Sequence, residues 1–256
     1  MSRESLKEMH KAALVGIEKA GASARRPARL AEVVTMSVLE QIVAGDIQVG
    51  AMLPCEADLE ETYGVSRTVI REAIKSLELK GVVRARQGLG TAVCSVDNWN
   101  LLDPAVLALS VKHDDDLKRQ DELAQIRMAL EGIMCARAAE LASDQALGLL
   151  KALLDRMEGE LSDPAEYLNV DFEYHVEIMR ISGNSLGRSI VQTVHSQIRA
   201  QASWPPGYCE QDELLKTHSE HIAIYDAIAS HDSESAQRAI VEHIWESWNR
   251  RRALLG

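Results

Sequence analysis

The chain has 256 residues and 46% hydrophobic content, enough for one large or two ordinary domains with real cores, and a formal net charge of -11. Aromatic residues make up 4%, too few for a surface that stacks unpaired bases, which argues against single-stranded nucleic-acid recognition. No stretch stays apolar long enough to span a bilayer and the first residues lack a signal-type apolar run, so a cytoplasmic protein with no membrane partner is expected.

Cys55, Cys94, Cys135 and Cys209 are widely spaced and form no CxxC pair, so they read as reduced thiols, with Cys135 in a core. Residues 1–28 mix charges with Gly21, Ser23 and Pro27 and are expected to form a flexible N-terminal arm. Its "ARRPARL" is either a phosphate contact or a loose terminus. From Leu30 to Ala44, apolar residues recur at helical spacing and stop at Gly45. "GDIQVGAMLP" then breaks regular structure. A short helix follows over Glu56–Tyr63, closed by Gly64, with Ser66 as N-cap of the next.

That next helix, about Arg67 to Lys80, has Ile70, Ala73, Ile74 and Leu77 on one face and Arg67, Thr68, Arg71 and Lys75 on the other. The arrangement predicts a helix-turn-helix whose second helix enters the major groove of double-stranded DNA. "VVRARQGLGTAV" alternates apolar and basic residues around a glycine-rich tip, which predicts a hairpin wing. The stretch from Tyr63 to Val93 holds Arg67, Arg71, Lys75, Lys80, Arg84 and Arg86 against only Glu72 and Glu78, a positive face in an acidic chain. Residues 96–116 read as a linker with a short helix. From 117 to 256 helical periodicity prevails, broken near Ser143, Pro164, Gly183, Trp204–Gly207 and His231. The predicted fold is therefore mainly α: a winged helix-turn-helix over 29–95, then an antiparallel bundle of about six or seven helices.

Asp171 and His175 stand four apart and share a helix face. His221 and His243 fall on later helices among inward-spaced isoleucines (Ile222, Ile224, Ile228; Ile240, Ile244). One carboxylate and three imidazoles suit zinc, nickel or manganese, but helical histidines are more often hydrogen-bonded core or surface residues, and spacing alone leaves both readings open. Arg127 either forks onto a carboxylate ligand or pairs with Glu131 one turn on. Asn184 is either a donor to a ligand or a turn residue after Gly183.

The string "GAMLPCEADLEETYGVSRTVIREAIKSLELKGVVRARQGLGTAV" resembles the winged-helix domain of GntR-type bacterial transcription regulators, through LP-x-E-x-x-L, G-V-S-R-x-x-x-R-E-A and a wing ending G-T-x-V. The resemblance implies that Arg67 and Arg71 contact bases or phosphates, that Ser66 and Thr68 bind backbone phosphate, and that Gln87 and Gly88 carry the wing tip into the minor groove. Ala57 stands where relatives often carry an arginine, which removes one DNA contact. The region from about Leu123 to Trp248 is similar to the FCD ligand-sensing domain of the FadR branch, through "IRMALEGIMCARAAELA", the D-x-x-x-H of Asp171 and His175, "ISGN", "EHIAIYDAI" and "AIVEHI". That resemblance implies Asp171, His175, His221 and His243 as metal ligands, zinc above all, and Arg127 in the sensing pocket. Tyr174 replaces the usual phenylalanine. His195 and His218 lie outside the pattern and read as residues behind the ligands or on the surface. "NWNLLDPAVLALSV" is similar to the linker of galactonate-responsive, sugar-acid repressors, which implies an aldonate such as galactonate as effector.

The expectation is thus a homodimeric, ligand-responsive repressor of a carboxylate or sugar-acid operon. The alternative is a metal-dependent enzyme acting on a small carboxylate, with a DNA-binding module attached. Against it, the only nearby general base, Glu173, is turned off the Asp171–His175 face by the helical period.

Overall fold

The computed structural model describes residues 25–200 and 210–255. Residues 1–24 of the expected arm, the break at Trp204–Gly207 and Cys209 lie outside them. The chain divides into two compact units at His113 and Asp114.

In the first unit α1 (Arg25–Val43) begins five residues before the helix expected from Leu30. Pro27 falls in its first turn, where a missing N–H breaks no intrahelical bond. Then come α2 (Glu56–Tyr63), α3 (Arg67–Leu79), β1 (Val83–Arg86) and β2 (Gly90–Val93). Gly64 ends α2 at φ 62, ψ 30, a left-handed turn that glycine adopts without a Cβ penalty. Leu39, Ile70 and Leu77 meet in a core with Val34, Val38, Val69 and Ala73. Each large side chain so buried contributes about 1.5–3 kcal/mol. Val69 takes a place in the buried face of α3, while Ile74 is only half-buried.

The strands pair antiparallel from Val83↔Val93 to Arg86↔Gly90, which leaves Gln87, Gly88 and Leu89 as the tip. Glu78 of α3 accepts from the Ala85 N–H at 2.7 Å, pinning the wing to the helix.

The expected linker belongs largely to this first unit. Its helix α4 (Pro104–Lys112) buries Val106 and Leu109 in the same core, and Asp103 caps it through Ala105 and Val106 N–H. Asp103 also receives Lys80 Nζ at 2.5 Å, which ties the end of α3 to the start of α4. Gly81 makes this approach possible: at φ +73, a Cβ there would stand 2.1 Å from the Asn98 carbonyl oxygen.

The second unit holds six helices among the described residues: α5 (Lys118–Leu141), α6 (Asp144–Gly159), α7 (Pro164–Ile181), α8 (Ser185–Ala200), α9 (Gln211–Ala229) and α10 (Ser233–Leu255). Ser143 and Asp163 cap α6 and α7 through their side chains. The core joins Cys135, Leu150, Met157, Tyr167, Tyr174, Ile224, Ile228 and Ile240. Burial pushes the Cys135 thiol up, as befits a core cysteine. Ile222, expected inward, is exposed; Ile224, Ile228, Ile240 and Ile244 are buried. No described helix is long and apolar enough to cross a membrane.

Candidate DNA-reading face and metal-binding cavity

On the first unit, Ser66, Arg67, Thr68, Arg71 and Lys75 are all exposed along the start and outer face of α3, and Gln87 and Gly88 are exposed at the wing tip. Ser66 occupies the N-cap position with extended backbone, yet its hydroxyl makes no capping bond. The first-turn N–H groups beside it suit an anion such as a DNA phosphate. Arg67 and Arg71 are less independent than their spacing suggested. Arg67 Nε donates to Glu56 Oε2 at 2.8 Å, and Arg71 Nε to Glu56 Oε1 at 3.3 Å. The bond from Arg67 holds the Glu56 carboxyl below its usual range, so the pair is fully charged at neutral pH.

On the second unit, α7 supplies Asp171 and His175 from one face, α9 supplies His221 and α10 supplies His243. One donor atom from each lies within 4.8 Å of the other three. His175 and His221 are fully buried and His243 nearly so, while the Asp171 side chain keeps 19% exposure toward the cavity described below. His221 Nε2 stands 3.0 Å from Asp171 Oδ1 but off the line a hydrogen bond needs. His175 Nε2 faces His243 Nε2 at 3.3 Å.

The far sides of the rings explain this inward aim. His175 Nδ1 lies 2.7 Å from Glu131 Oε2, and His243 Nδ1 lies 2.8 Å from Glu220 Oε2. A carboxylate behind an imidazole sets the proton on the nitrogen that faces it, so both Nε2 atoms turn lone pairs inward. Burial, and then the neighbouring His221, push His243 down to about 3, so that ring is neutral at neutral pH. Two facing lone pairs at 3.3 Å repel in the absence of a cation. Burial works to raise Asp171, yet the adjacent His221 outweighs it and keeps the carboxyl well below its ordinary range. Glu220, opposed by burial, is held at about 2 by His243 and Arg250. The donor set of one carboxylate and three imidazole nitrogens fits a borderline divalent ion.

A cavity of about 80 Å³ opens beside these residues, lined by Asp171, His243, Arg127, His195, Thr217, Ser247, Arg251 and Gln120, with Leu123, Phe172, Leu214, Ile244 and Trp248 as its apolar wall. The Gln120 side-chain amide oxygen, Oε1, is buried there and accepts no hydrogen bond from the described residues. Arg127 makes the pair with Glu131 that was one of its two readings from the sequence. Its Nε donates to Glu131 Oε1 at 2.7 Å, and the side chain also lines the cavity. Asn184 does not line it. It is exposed, and its Oδ1 accepts from Gly187 N–H at 2.9 Å, capping α8, so the turn reading is the one the structure supports.

His195, expected behind the ligands or on the surface, and Glu131, expected only as a partner of Arg127, do more than the sequence assigned them. His195 is buried in the cavity wall, with Nε2 at 3.0 Å from Glu131 Oε1, and burial, then Arg127, push it down to about 4. Its signal was the spacing of Val191, Val194 and His195 on one helical stripe. Glu131, fully buried, is held well below its ordinary pKa against the burial penalty by Arg127, His195 and His175. It lies on the stripe of Ala124, Cys135 and Ala138, where a charge calls for an explanation. Glu131, His175 and His195 also bring three donor atoms together. The positive charge at that point is already the Arg127 guanidinium. His218 is buried against the edge of Tyr167 and lies outside the cavity. Glu173 is exposed and pairs with Arg156 at 2.7 Å, away from the site.

Comparison with known proteins follows the same division. A model of bacterial regulatory proteins of the gntR family matches residues 30–93, and a model of the FCD domain matches residues 122–245. The galactonate operon transcriptional repressor of Escherichia coli is 27% identical over 219 residues, covering 85% of this chain and 94% of that one. The transcriptional repressor NanR of Cronobacter sakazakii is 30% identical over 227 residues, covering 86% and 85%. The solved structure of Listeria monocytogenes Lar aligns with 92% of this chain and 100% of its own, at TM-score 0.58 and 18% identity, a likeness of fold. These relatives are transcriptional regulators with a DNA-binding domain, and the enzyme alternative gives way on that ground.

Proposed function

The chain belongs to the gntR family of bacterial transcription regulators, in the FadR-type group that carries an FCD domain, and from that premise we propose a metal-dependent, sugar-acid-responsive repressor acting in the cytoplasm. In this reading the protein is a homodimer, and each α3 enters the major groove at one half of a near-palindromic operator. Arg67 and Arg71 read guanine edges, and Ser66, Thr68 and Lys75 hold phosphates. Gln87 and Gly88 set the wing tip in the adjacent minor groove.

Asp171, His175, His221 and His243 would hold a divalent ion, zinc first by its affinity for such donors, with nickel or manganese as substitutes. When bound, the ion supplies a Lewis-acidic charge that attracts one carboxylate oxygen of the effector. The chain's own groups do the rest. Arg127, anchored by its Nε, keeps its outer nitrogens for the same carboxylate. Gln120 offers a buried acceptor to an effector hydroxyl, and the apolar wall of Leu214 and Trp248 excludes water. An aldonate such as galactonate carries both groups, and the named activity of the Escherichia coli relative supports that class. The observation that carries the reading is the facing pair of His175 and His243 Nε2 atoms at 3.3 Å, with His243, Asp171 and Arg127 together in the wall of one cavity.

An effector weakens operator binding only by as much as it prefers the non-binding arrangement, typically about 1–3 kcal/mol. The test is a gel shift on the DNA upstream of the protein's own gene, at fixed salt, with a panel of sugar acids, before and after metal removal by a chelator. The expected result is release by one acid, lost on chelation. A specific complex that no acid disturbs overturns the effector assignment, and release that survives chelation overturns the role of the metal.

A further inference from the structure

We propose that Glu56 is a specificity-determining positioning residue, which uses the two oxygens of one carboxylate to hold Arg67 and Arg71 side by side before DNA arrives. The inference rests on the reading of those two arginines as base contacts. Glu56 opens α2, Arg67 opens α3, and Arg71 follows one turn later, so the helix-turn-helix bend itself brings the three together. Each arginine donates through Nε, one to Oε2 at 2.8 Å and the other to Oε1 at 3.3 Å. Neither engages its terminal guanidinium nitrogens with any described residue, so both forks remain for the O6 and N7 acceptors of guanine.

Stability does not account for this arrangement. The arginine side chains are 68% and 65% exposed, and ion pairs so open to solvent stabilise a fold very little. Nor does simple electrostatics favour it, because a carboxylate on the reading face repels every phosphate backbone alike. What the carboxylate does provide is order. Two long side chains that would otherwise sample many rotamers are biased toward one shared arrangement in the free protein, so less entropy is lost when they dock. A Glu at this point therefore weakens binding to DNA in general while favouring the site whose bases match the paired forks.

These two effects have opposite signs, which makes Glu56→Gln decisive. The amide keeps the length, but its NH2 end cannot accept from the second arginine and the general repulsion is removed. The substitution is at a partly exposed position, and a thermal melt matching the wild type establishes that the fold is kept. The probes are an operator duplex enriched from random DNA by the wild-type protein and a scrambled duplex of the same composition, measured at one salt concentration. Expected is an operator affinity lower by about tenfold, with affinity for scrambled DNA unchanged or higher. Glu56→Ala, which removes both acceptors, is expected to lower the operator-to-scrambled ratio at least as far. A ratio that stays at the wild-type value or rises, whichever way the two affinities move, overturns the proposal. A wild-type protein that enriches no sequence overturns the base-contact reading beneath it.

Discussion

Glu131 and His175 form a buried pair: a carboxylate oxygen of the α5 residue lies 2.7 Å from Nδ1 of the α7 histidine, whose other nitrogen faces His243. The same carboxylate receives Arg127 and His195 from the cavity wall. One side chain thus sets the tautomer of a proposed metal ligand and neutralises the Arg127 cation in the cavity wall. Glu131→Gln is expected to weaken zinc binding by about 10- to 100-fold, measured by competition with a chromophoric chelator. Because the Arg127 charge is left buried and unpaired, the variant is also expected to lose about 3–5 kcal/mol of stability in denaturant titration. Wild-type zinc affinity in a folded variant would show that Glu131 does not orient His175.

Arg71→Ala is expected to abolish specific operator binding at moderate salt and to leave the thermal melt unchanged, since the side chain is exposed and its bond to Glu56 contributes little to the fold. Fluorescence anisotropy on operator and scrambled duplexes reads the effect. Sequence-selective binding by the folded variant would remove Arg71 from the recognition set.

His221→Ala is expected to lower zinc content and effector affinity together, because the ring is fully buried and its Nε2 is aimed at the Asp171 side of the cluster. Metal content is read by elemental analysis and effector affinity by calorimetry with galactonate as probe. A stoichiometric ion with unchanged galactonate affinity rules His221 out as a ligand.

The metal-free protein is expected to lose stability on acidification below neutral pH. His243 is pushed to about 3 and His195 to about 4, each by burial first, from an unfolded value near 6.5. A depressed histidine stays neutral in the folded state while the unfolded chain takes up the proton, so stability is fully present above about 6.5 and falls as pH drops toward the folded values. Each such group contributes a slope of about 1.4 kcal/mol per pH unit within that window. Urea titrations in chelator at pH 7, 6 and 5 measure the slope. A slope near zero between pH 6 and 5 would show that the two histidines are not buried neutral.

Much of the architecture was legible from residue order. Local signals decided it: Gly64 for a left-handed cap, the apolar stripe of α3, the Gly88–Gly90 tip, and Asp163-Pro164 to start α7. These act through backbone conformation and side-chain periodicity within a few residues, so a linear reading captures them. The i, i+4 pairing of Asp171 and His175 was legible for the same reason. The linker was not. Its composition resembles a connector, and only the seating of Val106 and Leu109 in the first core and the contact at Gly81 assign α4 to the reading unit.

The sequence by itself determined which residues bear charge, which face of each helix is apolar, and therefore the order of a winged reader and a helical bundle. Tertiary structure decided who meets whom. It made Glu131, 44 residues from His175, the group behind a proposed metal ligand; it turned Asn184 into a cap; and it joined Glu56 to Arg67 and Arg71, 11 and 15 residues away. The physical reason is that a buried charge or ring nitrogen is satisfied by whichever partner packing brings within about 3 Å, and that partner is chosen by helix crossing and burial, which no local spacing encodes.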